Sequence, residues 1–379
     1  MKPADWISRL PWSIVLLAVP LVAAGWLGIA RVEDLTGGGR FLRQQAVWAV
    51  LAAAAMVLMT LPNYRVFSRW SYAIFAVSLV LLLLVFWFPP VNGARRWIRV
   101  GSIGMQPSEF AKLAFVLAMA RYLMYRENYR RFWGLALPVL LAMVPVVLIL
   151  REPDLGTALV FLPVLFVMLF AAGARRIDLA RLAMLGLAMA PVLWFQMSGE
   201  QKSRVTALWR QAGPGEIASD DAYQLRQAKQ MAALGGVWGS LMAGPAVDDP
   251  AAYHLPEARS DFIFCVLVER LGLIGGAGIL GLFALLVWRG LAVAQANREP
   301  FGRLVAVGLV ALVAVQALIN TGMTVGLLPI TGLSLPLVSY GGSGLVAQGL
   351  LLGLLLNVGM RPGYEVTKEP FRYALAAGS

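Results

Sequence analysis

Residues 155–172 read LGTALVFLPVLFVMLFAA, eighteen consecutive positions without a charged side chain. A helix needs about 20 apolar residues to cross the hydrocarbon of a bilayer, and this run comes close to that length. A strand of a membrane barrel would instead alternate apolar and polar positions over about ten residues. In lipid the backbone must satisfy its own hydrogen bonds, so a long, uniformly apolar run reads as a spanning helix. Working outward, about ten such runs occur, at 12–30, 45–61, 71–88, 109–122, 134–150, 155–172, 180–197, 262–287, 304–319 and 343–359. The 109–122 run is the shortest and carries Glu109 and Lys112. Hydrophobic residues make up 59% of the chain and charged ones 14%, against about 25% charged in soluble domains. The expected fold class is an all-α polytopic membrane protein of about ten transmembrane helices, one domain over 1–379. Between the seventh and eighth runs lies one large polar excursion, about 198–261, and a short tail of mixed charge follows from about 361 to 379.

Lys2 and Arg9 precede the first run, as in a secretory signal. Its apolar core is longer than a typical signal core and further spans follow, so it reads as an uncleaved first helix. With the N-terminus inside, 17 of the 32 basic residues fall in short inner connectors and tails, most clearly at 121–131 and 288–303. The positive-inside rule then puts both termini in the cytoplasm and the 198–261 excursion outside. Basic residues on the outer face, above all Arg95, Arg96 and Arg99, suggest an anionic ligand such as a phosphate. The net charge of +12 is better matched to membrane lipid headgroups than to nucleic acid.

Cys265 is the single cysteine and His254 the single histidine, which excludes a disulfide framework and His-rich zinc sites and argues against a Ser-His-Asp triad. Gly276-Ala277-Gly278-Ile279-Leu280-Gly281 has the spacing of a dinucleotide fingerprint, but no strand precedes it and an apolar run surrounds it. Small residues there are expected to serve close helix packing.

Four outer segments carry the remaining chemistry. In the first, Arg95-Arg96-Trp97 leads to Gln106-Pro107-Ser108-Glu109 and Lys112. Ser108 is placed to cap a helix, and Glu109 and Lys112 share a face, either as a local ion pair or as part of a polar cavity lining. In the second, Glu152-Pro153-Asp154-Leu155-Gly156-Thr157 opens a span, and Asp154 either caps it or faces a ligand. The third, Arg259-Ser260-Asp261, stands at the mouth of the eighth run, where a carboxylate is costly and usually has a task. Its bland reading is a helix N-terminal residue paired with Arg259. The fourth, 328–343, includes Ser339-Tyr340-Gly341-Gly342-Ser343 and has too much Pro and Gly for a regular helix. Broken backbone at membrane depth must be buried in protein or line a cavity.

In this order these segments resemble the motifs of the shape, elongation, division and sporulation family of bacterial membrane proteins, the RodA and FtsW group. The resemblance runs from about residue 12 to 360 and leans toward RodA, the elongation member. It implies a peptidoglycan glycosyltransferase of the bacterial cytoplasmic membrane. Such an enzyme polymerises lipid II onto a lipid-linked glycan on the outer face, with a class B penicillin-binding protein as cross-linking partner. It further implies that Asp261, in Ser260-Asp261-Phe262-Ile263-Phe264, is the essential residue. The family often has two glutamates after this motif, whereas Arg270 follows Glu269 here, and the second position receives no role.

The residues suit that chemistry. Pyrophosphate is a good leaving group, so one general base can suffice where a glycosidase needs two carboxylates. Asp261 is the expected base for the acceptor hydroxyl. Arg43, Arg95, Arg96 and Lys112 are candidates for the departing pyrophosphate, with or without a divalent ion such as magnesium or manganese. Trp97, Glu109, Asp154, Ser339 and Gly341 complete the expected substrate-binding set. The excursion carries six basic and seven acidic residues before Asp261, so it reads as a lid or partner surface rather than an anion trap. A lipid II flippase and a non-catalytic scaffold are the alternatives.

Overall fold

The computed structural model describes residues 8–37, 39–91, 93–101, 103–125, 132–210, 220–247 and 253–361. Lys2, residues 126–131 of the first clear inner connector and the tail beyond Arg361 lie outside the described residues. Each of the ten expected runs forms a long helix. These are α1 (Trp12–Thr36), α2 (Phe41–Thr60), α3 (Tyr64–Leu84), α4 (Pro107–Tyr125), α5 (Ala136–Arg151), α6 (Leu155–Ala172), α7 (Arg176–Gln196), α11 (Ile263–Ala296), α12 (Pro300–Thr324) and α13 (Gly342–Met360). The excursion holds three more, α8 (Gly199–Arg210), α9 (Asp220–Leu234) and the single turn α10 (Ser240–Ala243). A short antiparallel hairpin, β1 (Ile98–Val100) and β2 (Ile103–Met105), precedes α4.

Eight helices among the described residues are long and apolar enough to cross a membrane. The other two long helices, α4 and α7, fall short for opposite reasons. In α4 every residue from Ala111 to Ala120 is buried, because α3, α5, α6, α12 and α13 all pack on it. A helix surrounded by protein can hold Glu109 and Lys112 as a buried pair, Nζ to Oε1 2.8 Å, where lipid would forbid single charges. In contrast, α7 lies at the periphery, mostly exposed along its length, and opens on Arg176, Asp178 and Arg181.

Close helix contact relies on small residues. Along α13, a Cβ on Gly342 would meet the Trp48 ring at 2.3 Å, one on Gly349 the Ala52 carbonyl at 2.2 Å, and one on Gly353 the Met56 carbonyl at 2.3 Å. This seam brings α2 and α13 together backbone to backbone, as small residues do in membrane bundles. The fingerprint-like glycines behave differently from expectation. Gly276 faces Val268 of its own helix, while Gly278 and Gly281 point into open space. Gly276 is buried against its own helix, and Gly278 and Gly281 lie on an exposed face of α11.

Inner and outer ends are built differently. At the inner end Arg361 donates to the carbonyls of Thr60, Leu61 and Pro62, closing the C-terminus of α2. Glu299 accepts from Tyr64 at 2.7 Å and Arg65 at 2.8 Å, tying α3 to the start of α12. At the outer end the backbone is irregular. Gly272 breaks α11 with φ 71 and ψ −175, a conformation that favours glycine. The amides beyond the break find partners in the excursion: Leu273 N donates to Gly236 O at 2.9 Å and Ile274 N to Val237 O at 3.4 Å. Gly239 supplies the close approach, since its Cβ would meet Arg270 O at 2.4 Å.

The seam gives a test. Gly349→Leu forces α13 off α2 and is expected to cost stability on the scale of core overpacking, about 1–3 kcal/mol. Gly281→Leu, on the open face of α11, leaves it unchanged. Thermal unfolding of both variants in the same detergent separates them.

Candidate functional site

Asp261 sits at the outer mouth of α11, in a turn whose backbone is almost wholly accounted for. The amides of Ser260, Asp261 and Phe262 all donate to Glu257 O, at 3.2, 3.1 and 3.3 Å. The carbonyls of three consecutive residues are taken by three different groups. Arg259 O accepts from Tyr340 N at 2.9 Å, Ser260 O from Ser339 Oγ, and Asp261 O from Asn320 Nδ2 at 2.8 Å. Asn320 also donates to Leu333 O at 2.6 Å, so it joins α12, the Asp261 turn and the broken segment at one point. That segment, between α12 and α13, has no regular helix and is largely buried, as its Pro and Gly content requires.

The Asp261 carboxylate lies beside the Gly332 turn. A Cβ on Gly332 would stand 3.4 Å from Asp261 Oδ2 and 3.9 Å from Arg204 Nη1. Arg204 comes from α8 and is itself held by Glu200, 2.6 Å to Oε1, with Asp221 at 3.9 Å. The excursion is therefore more than a detached lid. It brings the Arg204 guanidinium close enough to be felt at the Asp261 carboxylate, and Leu225, Ala228 and Met231 of α9 are buried in the core. Burial pushes the Asp261 carboxyl up to about 7, helped by Glu257 and Asp154 and opposed by Arg204 and Arg96.

The other expected site residues divide into groups. Asp154 caps α6: its carboxylate accepts from Thr157 N at 3.1 Å, Thr157 Oγ1 at 2.9 Å and Gln106 Nε2 at 3.1 Å. Its charge is also felt at Asp261, so the cap lines the same outer region. Arg96 donates to the carbonyls of Glu152 and Pro153, and Arg95 to Phe86 O at 2.8 Å. Both guanidiniums thus hold backbone. Trp97 packs against Gly104 of the hairpin, and Arg43 is exposed on the first turn of α2. Ser339 straps the Asp261 turn, and its carbonyl accepts from Gln45 Nε2 at 3.2 Å. Gly341 N donates to Gln45 Oε1 at 3.4 Å.

Two expectations fail. Ser108 does not cap α4; the helix begins at Pro107, whose fixed φ suits a first helical position, and Ser108 Oγ is buried without a partner. Gln106 stands outside the helix instead, its amide donating to Ser343 Oγ at 3.2 Å. Arg259 does not pair with Asp261. Its guanidinium lies over the Phe41 ring at 4.1 Å.

Residues that the sequence reading left without a role also matter. Glu269 is 0% exposed and accepts both donors of Arg31, at 2.8 and 3.1 Å, tying α1 to α11. Glu152 is likewise 0% exposed, with both carboxyl oxygens unpartnered. Burial, then Asp154, pushes it up to about 9 against Arg96, so it is neutral at physiological pH. Among the described residues no three His, Cys, Asp or Glu side chains are grouped to hold a metal ion.

The family model for FtsW, RodA and SpoVE, described as cell cycle protein, matches residues 8–362. The chain belongs to that family. A probable peptidoglycan glycosyltransferase FtsW of Geobacter metallireducens is 36% identical, over 94% of this chain and 96% of the relative. Stage V sporulation protein E of Bacillus subtilis is 35% identical over 84% and 86%. Among solved structures, the rod shape determining protein RodA of Thermus thermophilus is 31% identical with TM-score 0.68, covering 92% of this chain and 96% of that one. A chain from a peptidoglycan synthase complex that coordinates polymerization and crosslinking has TM-score 0.79 and 32% identity, over 92% and 97%. The family is as the motifs implied; the sequence relatives, however, carry FtsW and sporulation names, and RodA enters through the solved structures.

Asn320→Leu is expected to orphan the buried carbonyls of Asp261 and Leu333, at about 1–3 kcal/mol for each unsatisfied group. Limited proteolysis in detergent should then cut between α12 and α13, where the native protein resists.

Proposed function

We propose that this chain is a peptidoglycan glycosyltransferase that polymerises lipid II at the outer face of the cytoplasmic membrane, with Asp261 as general base. One observation carries the reading. A half-buried carboxylate is fixed at the outer mouth of a spanning helix by a turn whose amides and carbonyls are bonded on both sides, with its pKa raised to about 7. A base of that strength is deprotonated near neutrality yet basic enough to accept a hydroxyl proton in the transition state. The acceptor oxygen forms its bond to the anomeric carbon of the lipid-linked sugar as the bond to phosphate breaks. The hydroxyl proton passes to Asp261, and polyprenyl pyrophosphate departs with the electron pair.

Membership of this family and the names of the curated relatives support the activity. Arg43 and Trp97 remain the proposed contacts to the sugar and lipid-linked phosphate, whereas the buried Glu109–Lys112 pair serves the interior of the bundle. Asp154 and Ser339 act on substrate through the backbone they hold, and Gly341 through the Gln45 side chain it is bonded to. A class B penicillin-binding protein is the proposed partner, on the strength of the synthase complex whose membrane chain this one resembles. Assignment to elongation rests on the motifs, while relatives named FtsW favour division. A fluorescent fusion separates the two by lateral-wall or midcell position.

The polymerase reading is tested with purified protein, the class B partner and labelled lipid II. Asp261→Asn is expected to abolish glycan chains on a gel, a loss of at least about a hundredfold for a removed general base. The native rate should rise with pH through a midpoint near 7, because the carboxylate is the active form. Equal polymer from both proteins would remove Asp261 as the base.

A further inference from the structure

Several outer-face cations of this chain are already committed. Lys112 is paired with Glu109, Arg31 with Glu269 and Arg204 with Glu200. Arg95 and Arg96 spend donors on backbone carbonyls. Arg259 is held differently. Its guanidinium lies 4.1 Å from the Phe41 ring centroid and 5.9 Å from that of Tyr340, and the two rings meet edge to face at 5.3 Å. Among the described residues it makes no ion pair. An aromatic face holds a guanidinium through its flat side and leaves the in-plane N–H donors for an oxyanion, with a fork matched to phosphate.

The neighbouring carboxylates are occupied. Glu33 accepts from the Phe41 and Leu42 amides and so caps α2. Glu257 accepts from Ser260 Oγ at 2.8 Å. A second cation, exposed Arg40, lies close enough to act with Arg259 on the Tyr340 hydroxyl. The platform is rigid, because Tyr340 N donates to Arg259 O and Tyr340 Oη donates to Gln44 Oε1 at 2.6 Å. Arg259 is half-buried, reachable from outside, and two residues from Asp261 on the same strapped turn.

We propose that Arg259, seated on Phe41 and Tyr340 with Arg40 beside it, is the subsite that binds the pyrophosphate of a polyprenyl-linked substrate next to Asp261. The assignment of the lipid carrier rests on the polymerase reading; the pyrophosphate subsite itself does not. Unlike Arg95 and Arg96, which give donors to backbone carbonyls, Arg259 gives its guanidinium donors to none among the described residues. Arg259 here is a binding residue, holding the leaving group while Asp261 takes the proton.

The test uses Asp261→Asn protein in neutral phosphatidylcholine nanodiscs, so that no turnover occurs, and geranylgeranyl pyrophosphate as probe. Arg259→Gln is expected to weaken probe binding about tenfold, the scale of a lost charge-assisted contact. Arg259→Lys should retain part of it, and geranylgeraniol, which lacks the anion, should bind all variants equally. Because Arg259→Gln also loses its seat on Phe41, Arg40→Gln serves as a second variant on an exposed position and should weaken the probe by about threefold.

Unchanged probe binding in Arg259→Gln overturns the proposal. So does displacement of the probe by phosphatidylglycerol in the nanodisc, which would assign the cluster to membrane headgroups. If the wild-type Asp261 protein makes no polymer while Arg259→Gln still loses the probe, the polymerase reading fails and the subsite stands. If Arg259→Gln polymerises lipid II with unchanged KM, the subsite fails and the polymerase reading stands.

Discussion

Three consecutive carbonyls, those of Arg259, Ser260 and Asp261, are bound by Tyr340, Ser339 and Asn320. Everything on the outer face depends on this strap. A loop at membrane depth has no water to satisfy its backbone, so each polar group must find a protein partner or cost several kcal/mol. The turn at Asp261 and the irregular segment between α12 and α13 solve that problem for each other. Neither is regular, and each supplies what the other lacks. The Asp261 side chain is thereby left free of structural duty, while its position is determined by main-chain bonds on both sides. That is how a carboxylate can be both precisely placed and chemically available.

The same logic explains why charged residues survive inside the bundle. Lys112 and Glu109 are buried together on α4, and Arg31 and Glu269 link α1 to α11. Each pair offsets its own desolvation by close contact, whereas breaking one would leave an uncompensated buried charge. Glu152 takes the other route. It has no partner, and burial keeps it protonated until about pH 9, so no charge is buried at all. Asp261 lies between these extremes. Arg204 and Arg96 oppose its desolvation, Glu257 and Asp154 reinforce it, and the balance near 7 suits proton transfer in either direction.

The ten runs were legible because a spanning helix is apolar whether it faces lipid or packed helices, and at the helix ends, where polar groups enter, the reading weakens. The 304–319 run stops short of α12, which continues to Thr324. Asn320, Thr321 and Thr324 are polar, yet Thr321 and Thr324 return their hydroxyls to backbone carbonyls of the same helix, and Asn320 serves the strap. A lone Asn beyond an apolar run was a signal that could have been read. Arg204 carried none, since it sits among similar residues in a polar stretch and only the fold brings it to Asp261. The backbone partners of Arg95 and Arg96 were illegible for a related reason: only the fold brings the carbonyls of Phe86, Glu152 and Pro153 to them. Asp154 was legible as a cap, and its proximity to Asp261 was not.

Irregular backbone is distributed unequally across the membrane. The inner ends of α2, α3, α12 and α13 are closed by Arg361, Arg65, Tyr64 and Glu299, side chains that satisfy helix ends and bridge short connectors. The outer half holds the break at Gly272, the unwound stretch after Thr324 and the Asp261 turn. Helix is the default in lipid because it needs no help, so every departure must be supported by neighbours. A fold that placed such departures at random would carry their cost without return. Here they adjoin one another around the residue whose chemistry the family motifs single out. Among the described residues the asymmetry argues for the outer face as the working face: side chains close the inner helix ends, and the costly irregular backbone gathers around Asp261.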